Sequence, residues 1–159
     1  MIERTLVLVK PDGVQRGLIG EIVARFEQRG LKIVGMKMIW MDKDFSKKHY
    51  AAHLDKKMYP MLEEFITSAP VVAMAIEGIH AVELVRKIVG STEPKGAPLG
   101  TVRGDYAHVS YAYADDKKIS IKNLVHASGN KEEADQELAL WFGVDELYTY
   151  EATQDKHVL

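Results

Sequence analysis

The chain has 159 residues, 21 basic and 23 acidic side chains, and a formal net charge of −2; it is long enough for one domain with a full core, here taken as residues 1–159. The near-even charge gives no support for a nucleic-acid-coating surface, while leaving room for a local basic pocket for small anions. Cysteine is absent, which excludes disulfides, thiolate catalysis and cysteine-ligated zinc; no apolar run approaches the roughly 18 residues of a membrane span, and no basic-then-apolar leader is visible, so a soluble cytoplasmic protein is expected.

Thr5–Val9 is an apolar run stopped by Pro11-Asp12-Gly13, which predicts a buried strand and then a turn. Leu18, Ile19, Ile22, Val23 and Phe26 share one helical face, and Gly30 closes that helix. Leu31–Met41 reads as a second strand. Asp42 or Asp44 suits the cap of a short helix carrying Phe45 and Tyr50, and a further helical piece follows Pro60. Pro70–Ile76 is a third strand, and Ala81–Val89 a helix ended by Gly90. Ser91–Gly104, rich in proline and glycine and without a period, predicts an ordered functional loop. Val109–Tyr113 and Lys118–Ile121, on either side of Asp115-Asp116, read as the arms of a hairpin. Leu124-Val125 continues as strand into His126. Asn130, with Glu133 three residues on, opens a last helix reaching Phe142. That order of elements predicts an α+β sandwich, one sheet with helices packed on it.

His126 ends an apolar strand, with Ser128 two residues on and Glu137 on the following helix. A histidine so placed suits nucleophilic or acid–base chemistry near neutral pH, or is a satisfied structural histidine. Glu137 lies about 10 Å along the helix from its cap, beside Ala134, Leu138, Trp141 and Phe142. It is either a partner that orients the imidazole or a surface carboxylate flanking the core. Ser128 either bonds into the same site or turns the chain. Asn123 would face away from Leu124 and His126 if the strand is regular, which makes it a ligand contact only after a local twist.

Lys10, Arg86 and Arg103 are separated cations that could meet phosphates; the blander readings are a surface lysine and a helix-end arginine. Arg103 has glycine neighbours that permit close approach of a ligand, and Thr92 opens the same loop. Neither G-x-x-x-x-G-K-[ST] nor G-x-G-x-x-G occurs, so a Walker or Rossmann site is unsupported. His49 and His53 have the i, i+4 spacing of a helical metal pair, without a glutamate in the H-E-x-x-H position or a third ligand. His80, His108 and His157 have no supporting set.

Taken together, Lys10-Pro-Asp-Gly-Val-Gln-Arg-Gly17, Gly20-Glu-Ile, Arg25-Phe-Glu-Gln, His49-Tyr50, Pro70-Val-Val-Ala-Met, Gly100-Thr-Val-Arg103-Gly104-Asp105, Asn123-Leu-Val-His126-Ala-Ser128 and Leu140-Trp-Phe142 resemble the nucleoside diphosphate kinase family. The resemblance runs in order from Thr5 to about Tyr150. It implies a ferredoxin-like fold with a four-stranded antiparallel sheet, to which the expected hairpin near residues 107–122 is an insertion. It also implies ping-pong transfer of the γ-phosphate of a nucleoside triphosphate such as ATP through a phosphohistidine on His126. Ser128 and Glu137 match residues that support that histidine, and Tyr50 matches one close to it. Lys10, Arg86, Thr92, Arg103 and Asn123 match positions that hold phosphates and ribose. Mg²⁺ is expected to be held by the nucleotide's phosphates and not by a protein cage. A homo-oligomer, most often a hexamer in the family, is implied as well. The fold also hosts binding and regulatory modules, so the alternative is a relative that has lost catalysis.

Three departures stand out. Met58 occupies the position that usually presents a phenylalanine to the base. Gly129 follows Ser128 where the family usually has aspartate, which predicts a missing carboxylate with Asn130 taking over the capping. The Tyr-rich stretch between Asp105 and Asn123 is longer than the commonest form, and is expected to pack on a neighbouring subunit or over the mouth of the site.

Overall fold

The apolar run near the N-terminus becomes the strand around which everything else is arranged. In the computed structural model, which describes residues 1–159, it is β1 (Ile2–Val9). Leu6 to Val9 are fully buried, as befits a strand with apolar residues on both faces. The expected turn after it is a short helix, α1 (Pro11–Gln15), with Pro11 at the first helical position, where a missing N–H costs nothing. Then follow α2 (Ile19–Gln28), β2 (Lys32–Ile39) and α3 (Lys43–His49), the last capped by Asp42, whose carboxylate accepts from Phe45 N at 2.7 Å. A 3-10 turn at Ala51–His53 leads to α4 (Tyr59–Ile66), β3 (Val71–Ile79) and α5 (Ala81–Val89). The loop after it carries α6 (Val102–Tyr106) and α7 (Tyr111–Lys117). The chain finishes with β4 (Val125–Ala127), α8 (Lys131–Trp141) and α9 (Asp155–Val158).

The four strands form one antiparallel sheet in the order β2-β3-β1-β4, the ferredoxin-like arrangement. β4 pairs with β1 alone, and His126 stands opposite Leu8. Alternation along β1 feeds two cores. Leu6 and Leu8 join Tyr59, Leu62, Ile66, Leu138 and Trp141 on the α4/α8 face. Val7 and Val9 join Ile22, Phe26, Val85 and Val102 on the α2/α5 face. Each fully buried Leu, Val or Phe contributes roughly 1.5–3 kcal/mol, so the central strand is tied down from both sides.

The segment read as a hairpin is not one. Residues 107–122 contain α7 and no strand. The Ser110 hydroxyl caps the helix by accepting from Tyr113 N at 3.2 Å, and Lys118 ends it in the left-handed region at φ 54°. Alternating Tyr and Ala imitates a strand period, but a capping serine and interior alanines favour the helix. The insertion is strapped to the preceding loop: Tyr111 N donates to the Glu93 carboxylate at 2.9 Å, and Lys95 N donates to Val109 O at 3.1 Å.

At the start of α8 the Asn130 side chain accepts from Glu133 N at 2.9 Å, as expected of a cap. Glu133 in turn accepts from Gly129 N at 2.9 Å and Asn130 Nδ2 at 3.1 Å. A carboxylate four residues on thus reaches back to the Gly129 N–H. Replacing Asn130 with alanine removes the acceptor for Glu133 N. We expect Asn130→Ala to lower stability by about 1 kcal/mol, read as a fall in the denaturation midpoint at unchanged m-value.

Candidate active site

The site is built where β1 ends and β4 begins. Leu124 has φ +70°, an uncommon conformation for a leucine, and three neighbours hold it there. Its carbonyl accepts from Lys10 N at 2.8 Å, and its own N–H donates to Asp12 Oδ2 at 3.0 Å. Gly13 permits the approach, since a Cβ there would stand 2.7 Å from Val9 Cγ1 and 3.2 Å from Leu124 O. The strand is not regular here, so of the two orientations open to Asn123 the twisted one is adopted. Asn123 and His126 line the same cavity, about 260 Å³ in volume, together with Lys10, Arg86, Ser91, Thr92 and Arg103.

Arg103 comes from the Pro- and Gly-rich loop, which is ordered as expected. Thr101 Oγ1 donates to Pro98 O at 2.6 Å and accepts from Gly104 N at 3.0 Å. Arg25 ties the loop to α2 through Gly100 O and Asp105. The buried Arg103 guanidinium donates to Gly90 O, Asn123 O and Val125 O at 2.9, 3.0 and 2.6 Å. Of its five N–H groups, two remain for an anion. Lys10 Nζ donates to Asn123 Oδ1 at 2.8 Å, and Asn123 Nδ2 donates to Thr92 O at 2.9 Å, so Asn123 spans the floor of the cavity.

On the opposite side of His126 lies a carboxylate. His126 Nε2 is 2.9 and 3.0 Å from the two oxygens of Glu137. Ser128 Oγ donates to Glu137 Oε2 at 2.6 Å and accepts from Leu6 N at 3.3 Å. Burial pushes the Glu137 pKa up, but the hydrogen bonds from His126 and Ser128 outweigh it and leave a net downward shift. With Nε2–H given to Glu137, the lone pair of a neutral imidazole lies on Nδ1.

Comparison with known proteins agrees with this geometry. The nucleoside diphosphate kinase family model matches residues 3–147. The chain belongs to the nucleoside diphosphate kinase family. A nucleoside diphosphate kinase of Pyrococcus abyssi is 54% identical over 154 residues, spanning 96% of this chain and 92% of that one. Among solved structures, a transition-state mimic of nucleoside-diphosphate kinase from Borrelia burgdorferi with bound vanadate and ADP superposes with a TM-score of 0.93 at 42% identity, covering 97% of this chain and 95% of that one. A halophilic nucleoside diphosphate kinase from Halobacterium salinarum in complex with CDP gives a TM-score of 0.89 at 43% identity, covering 100% of this chain and 99% of that one. The protein is accordingly a phosphotransferase of this family.

The nucleoside diphosphate kinase motifs named from the sequence do not all meet. Lys10, Arg86, Thr92, Arg103, Asn123 and His126 share the first cavity. His126 also lines a second, of about 370 Å³, with Glu137, His49, Tyr50 and His53. The Tyr50 hydroxyl is buried without a hydrogen-bond partner, and burial pushes its pKa up, so it stays a donor. Met58 precedes α4, is 43% exposed and lines neither cavity. His49 and His53 are not a helical pair, because α3 ends at His49 and a 3-10 turn follows. Sequence reasoning missed what Asp12 and Gly13 do for Leu124, and it filed Trp141 under the apolar stripe. The Trp141 Nε1–H in fact donates to His49 Nδ1 at 3.0 Å, a pairing of distant residues that no local spacing reveals.

The cations of the cavity are crowded. Burial, then the Arg103 charge, brings Lys10 down to about 8 against a small opposing effect of Asp12. Burial, then Arg86, lowers Arg103 to about 10. Lys10 is therefore charged below pH 8 and loses its charge as pH rises through that value in the free protein. Its buried ammonium weighs against folding at low pH, and that handicap fades between about 8 and its ordinary 10.5. Binding of an anion in the cavity would follow the opposite trend, because it needs the charge. We expect kcat/KM to fall as pH rises through about 8, with kcat spared. A pH series on wild type and Lys10→Gln checks this, the variant having a lower kcat/KM without that inflection.

Proposed function

We propose that this chain moves the terminal phosphoryl group of ATP or another nucleoside triphosphate to a nucleoside diphosphate in two half-reactions carried by His126. The observation that carries the reading is the pair of contacts that fixes His126. Glu137 holds Nε2 at 2.9 and 3.0 Å, and the ring borders a cavity walled by Lys10, Arg86 and Arg103. In the first half-reaction the Nδ1 lone pair attacks the γ-phosphorus. The bond from that phosphorus to the β–γ bridging oxygen breaks, and the nucleoside diphosphate leaves with the electron pair. The Nε2 proton stays between His126 and Glu137, which stabilises the positive charge developing on the ring. The second half-reaction is the same step in reverse, with an acceptor diphosphate attacking the phosphohistidine.

Phosphoryl transfer asks for in-line positioning and neutralised oxygens more than for covalent assistance from the protein. In this reading Lys10, Arg86 and Arg103 take the phosphate oxygens, and Thr92 and Asn123 take phosphate and ribose. The unpartnered Tyr50 hydroxyl is a further donor near the reacting histidine, and Ser128 orients Glu137. Mg²⁺ travels as part of the substrate. The lining of the cavity offers cations and no carboxylate, so phosphate oxygens and water hold the ion.

The base rests outside the phosphate cavity, where Met58 provides an adaptable apolar contact in place of an aromatic face. Met36 and Met38 on the edge strand β2 and Trp40 just after it are 48%, 55% and 65% exposed, an apolar edge that favours a homo-oligomer, a hexamer being the form the family resemblance implies. No helix is long and apolar enough to cross a membrane; we place the protein in the cytoplasm, acting as one domain over residues 1–159.

Incubation with γ-labelled ATP should give an acid-labile, base-stable phosphoryl adduct on wild type that passes to GDP or CDP. His126→Ala should carry no label. An adduct that persists in His126→Ala, or one that no diphosphate discharges, overturns the reading. Met58→Phe should lower the nucleotide KM modestly through better stacking, and a rise in KM would count against placing the base at Met58.

A further inference from the structure

The reactive histidine has a second imidazole against it. His49, the last residue of α3, packs edge-on to His126 with ring centroids 4.8 Å apart and planes at 84°. Behind His49 stands Trp141, whose indole N–H donates to His49 Nδ1 at 3.0 Å. Phe45 closes the stack on Trp141, centroids 4.8 Å apart. An indole nitrogen donates and never accepts, so Nδ1 of His49 must carry the lone pair and its proton must sit on Nε2. That Nε2 is buried and has no partner within the protein.

Burial, and after it the neighbouring His126, brings the His49 pKa down to about 3, so the ring is neutral throughout the working range. The charged and titratable groups that face it are His126 on β4, Glu137 on α8, Lys10 beyond β1 and His53 in the turn after α3, with the Tyr50 ring against it at 4.5 Å. The nitrogens of His49 and His126 and an oxygen of Glu137 lie within 4.8 Å of one another, a grouping that resembles a metal site. A metal on His49 Nε2 would drive the proton to Nδ1, directly against the indole N–H. The Trp141 bond therefore disfavours a metal and demands another account of the trio.

We propose that His49 is a positioning residue for His126. Locked by Trp141 in its Nε2–H form, it presents an N–H and never a lone pair to the His126–Glu137 pair. Glu137 is then the sole acceptor for His126 Nε2–H, and the His126 lone pair stays on Nδ1. Were the lock absent, His49 could offer a lone pair of its own. The His126 N–H would be shared between two acceptors in different directions, and the ring would no longer hold one orientation. Small misplacements of a reacting group cost up to about a hundredfold in rate. This inference rests on His126 being the phosphoryl carrier.

A double-mutant cycle tests it. Trp141→Phe retains an aromatic ring on Phe45 while releasing the His49 tautomer. It should slow single-turnover phosphorylation of His126 by ATP about tenfold at unchanged nucleotide KM. Adding His49→Phe, which keeps a ring edge on His126 and removes any lone pair, should return the rate to within about threefold of wild type. A merely structural role predicts the reverse, a double variant worse than either single one. An unaffected Trp141→Phe, or a double variant as slow as the single, overturns the proposal. Should the variants fail to fold, ¹⁵N ring shifts of the wild type decide it: His49 must show an N–H-type Nε2 and a lone-pair Nδ1, and averaged shifts or the opposite tautomer at His49 overturn it. Failure of the underlying reading looks different, since the wild type would then take up no label on His126 at all.

Discussion

The left-handed backbone at Leu124 is the constraint on which the site depends. A leucine in that region costs roughly 1–2 kcal/mol, and it persists because the surroundings leave no alternative. Its N–H and carbonyl are both taken, by Asp12 and by the backbone of Lys10, and the carbonyls on either side, of Asn123 and Val125, are held by Arg103. A regular strand would send Asn123 to the face opposite His126. With the twist, the amide that grips Lys10 and the imidazole end up in one cavity. Strain stored in a single residue thus gathers Lys10 just after β1, Arg103 of α6 and His126 of β4 around one point.

The charges gathered there are unbalanced by design of the fold. Lys10 and Arg103 are both buried, and burial, followed by a neighbouring cation, lowers the pKa of each. The lining holds no carboxylate to offset them, and Glu137 is engaged with His126 and Ser128. A polyanion entering the cavity supplies the missing negative charge and relieves the repulsion among its cations. The overall net charge of −2 confines this positive potential to the cavity. That distribution suits a small phosphorylated ligand and not a nucleic-acid backbone, which needs a broad basic surface.

How far the sequence discloses this depends on whether the physics is local. Helix α5 was legible to the residue, because apolar periodicity and a closing glycine are written side by side. The Asn130 cap and the buried run of β1 were legible for the same reason. The 107–122 segment was misread because alternation of Tyr and Ala is compatible with a strand, and the deciding serine cap is a single side-chain bond. The motif resemblance brought out the residues of the cationic cavity. Spacing alone could not do so, since Lys10 and Asn123 are 113 positions apart and meet only once the sheet has formed. For Asn123 the sequence left two orientations open, and one positive φ at Leu124 selects the twisted one over regular strand alternation.

The support of His126 extends beyond the cavity and into the core. β4 is three residues long and lies at the edge of the sheet, a poor foundation for a group that must hold its direction. The deficit is met from the α8 side. Glu137 fixes one ring nitrogen, Ser128 ties that carboxylate to the backbone of β1, and the His49–Trp141 stack presses on the ring from the α4/α8 core. Trp141 is among the largest fully packed side chains of that core, and close-packed interiors yield little. The direction of the Nδ1 lone pair is consequently set by the same packing that stabilises the fold. A phosphoryl carrier that must serve donor and acceptor nucleotides alike gains from this, because one rigid geometry meets the identical requirement of both half-reactions.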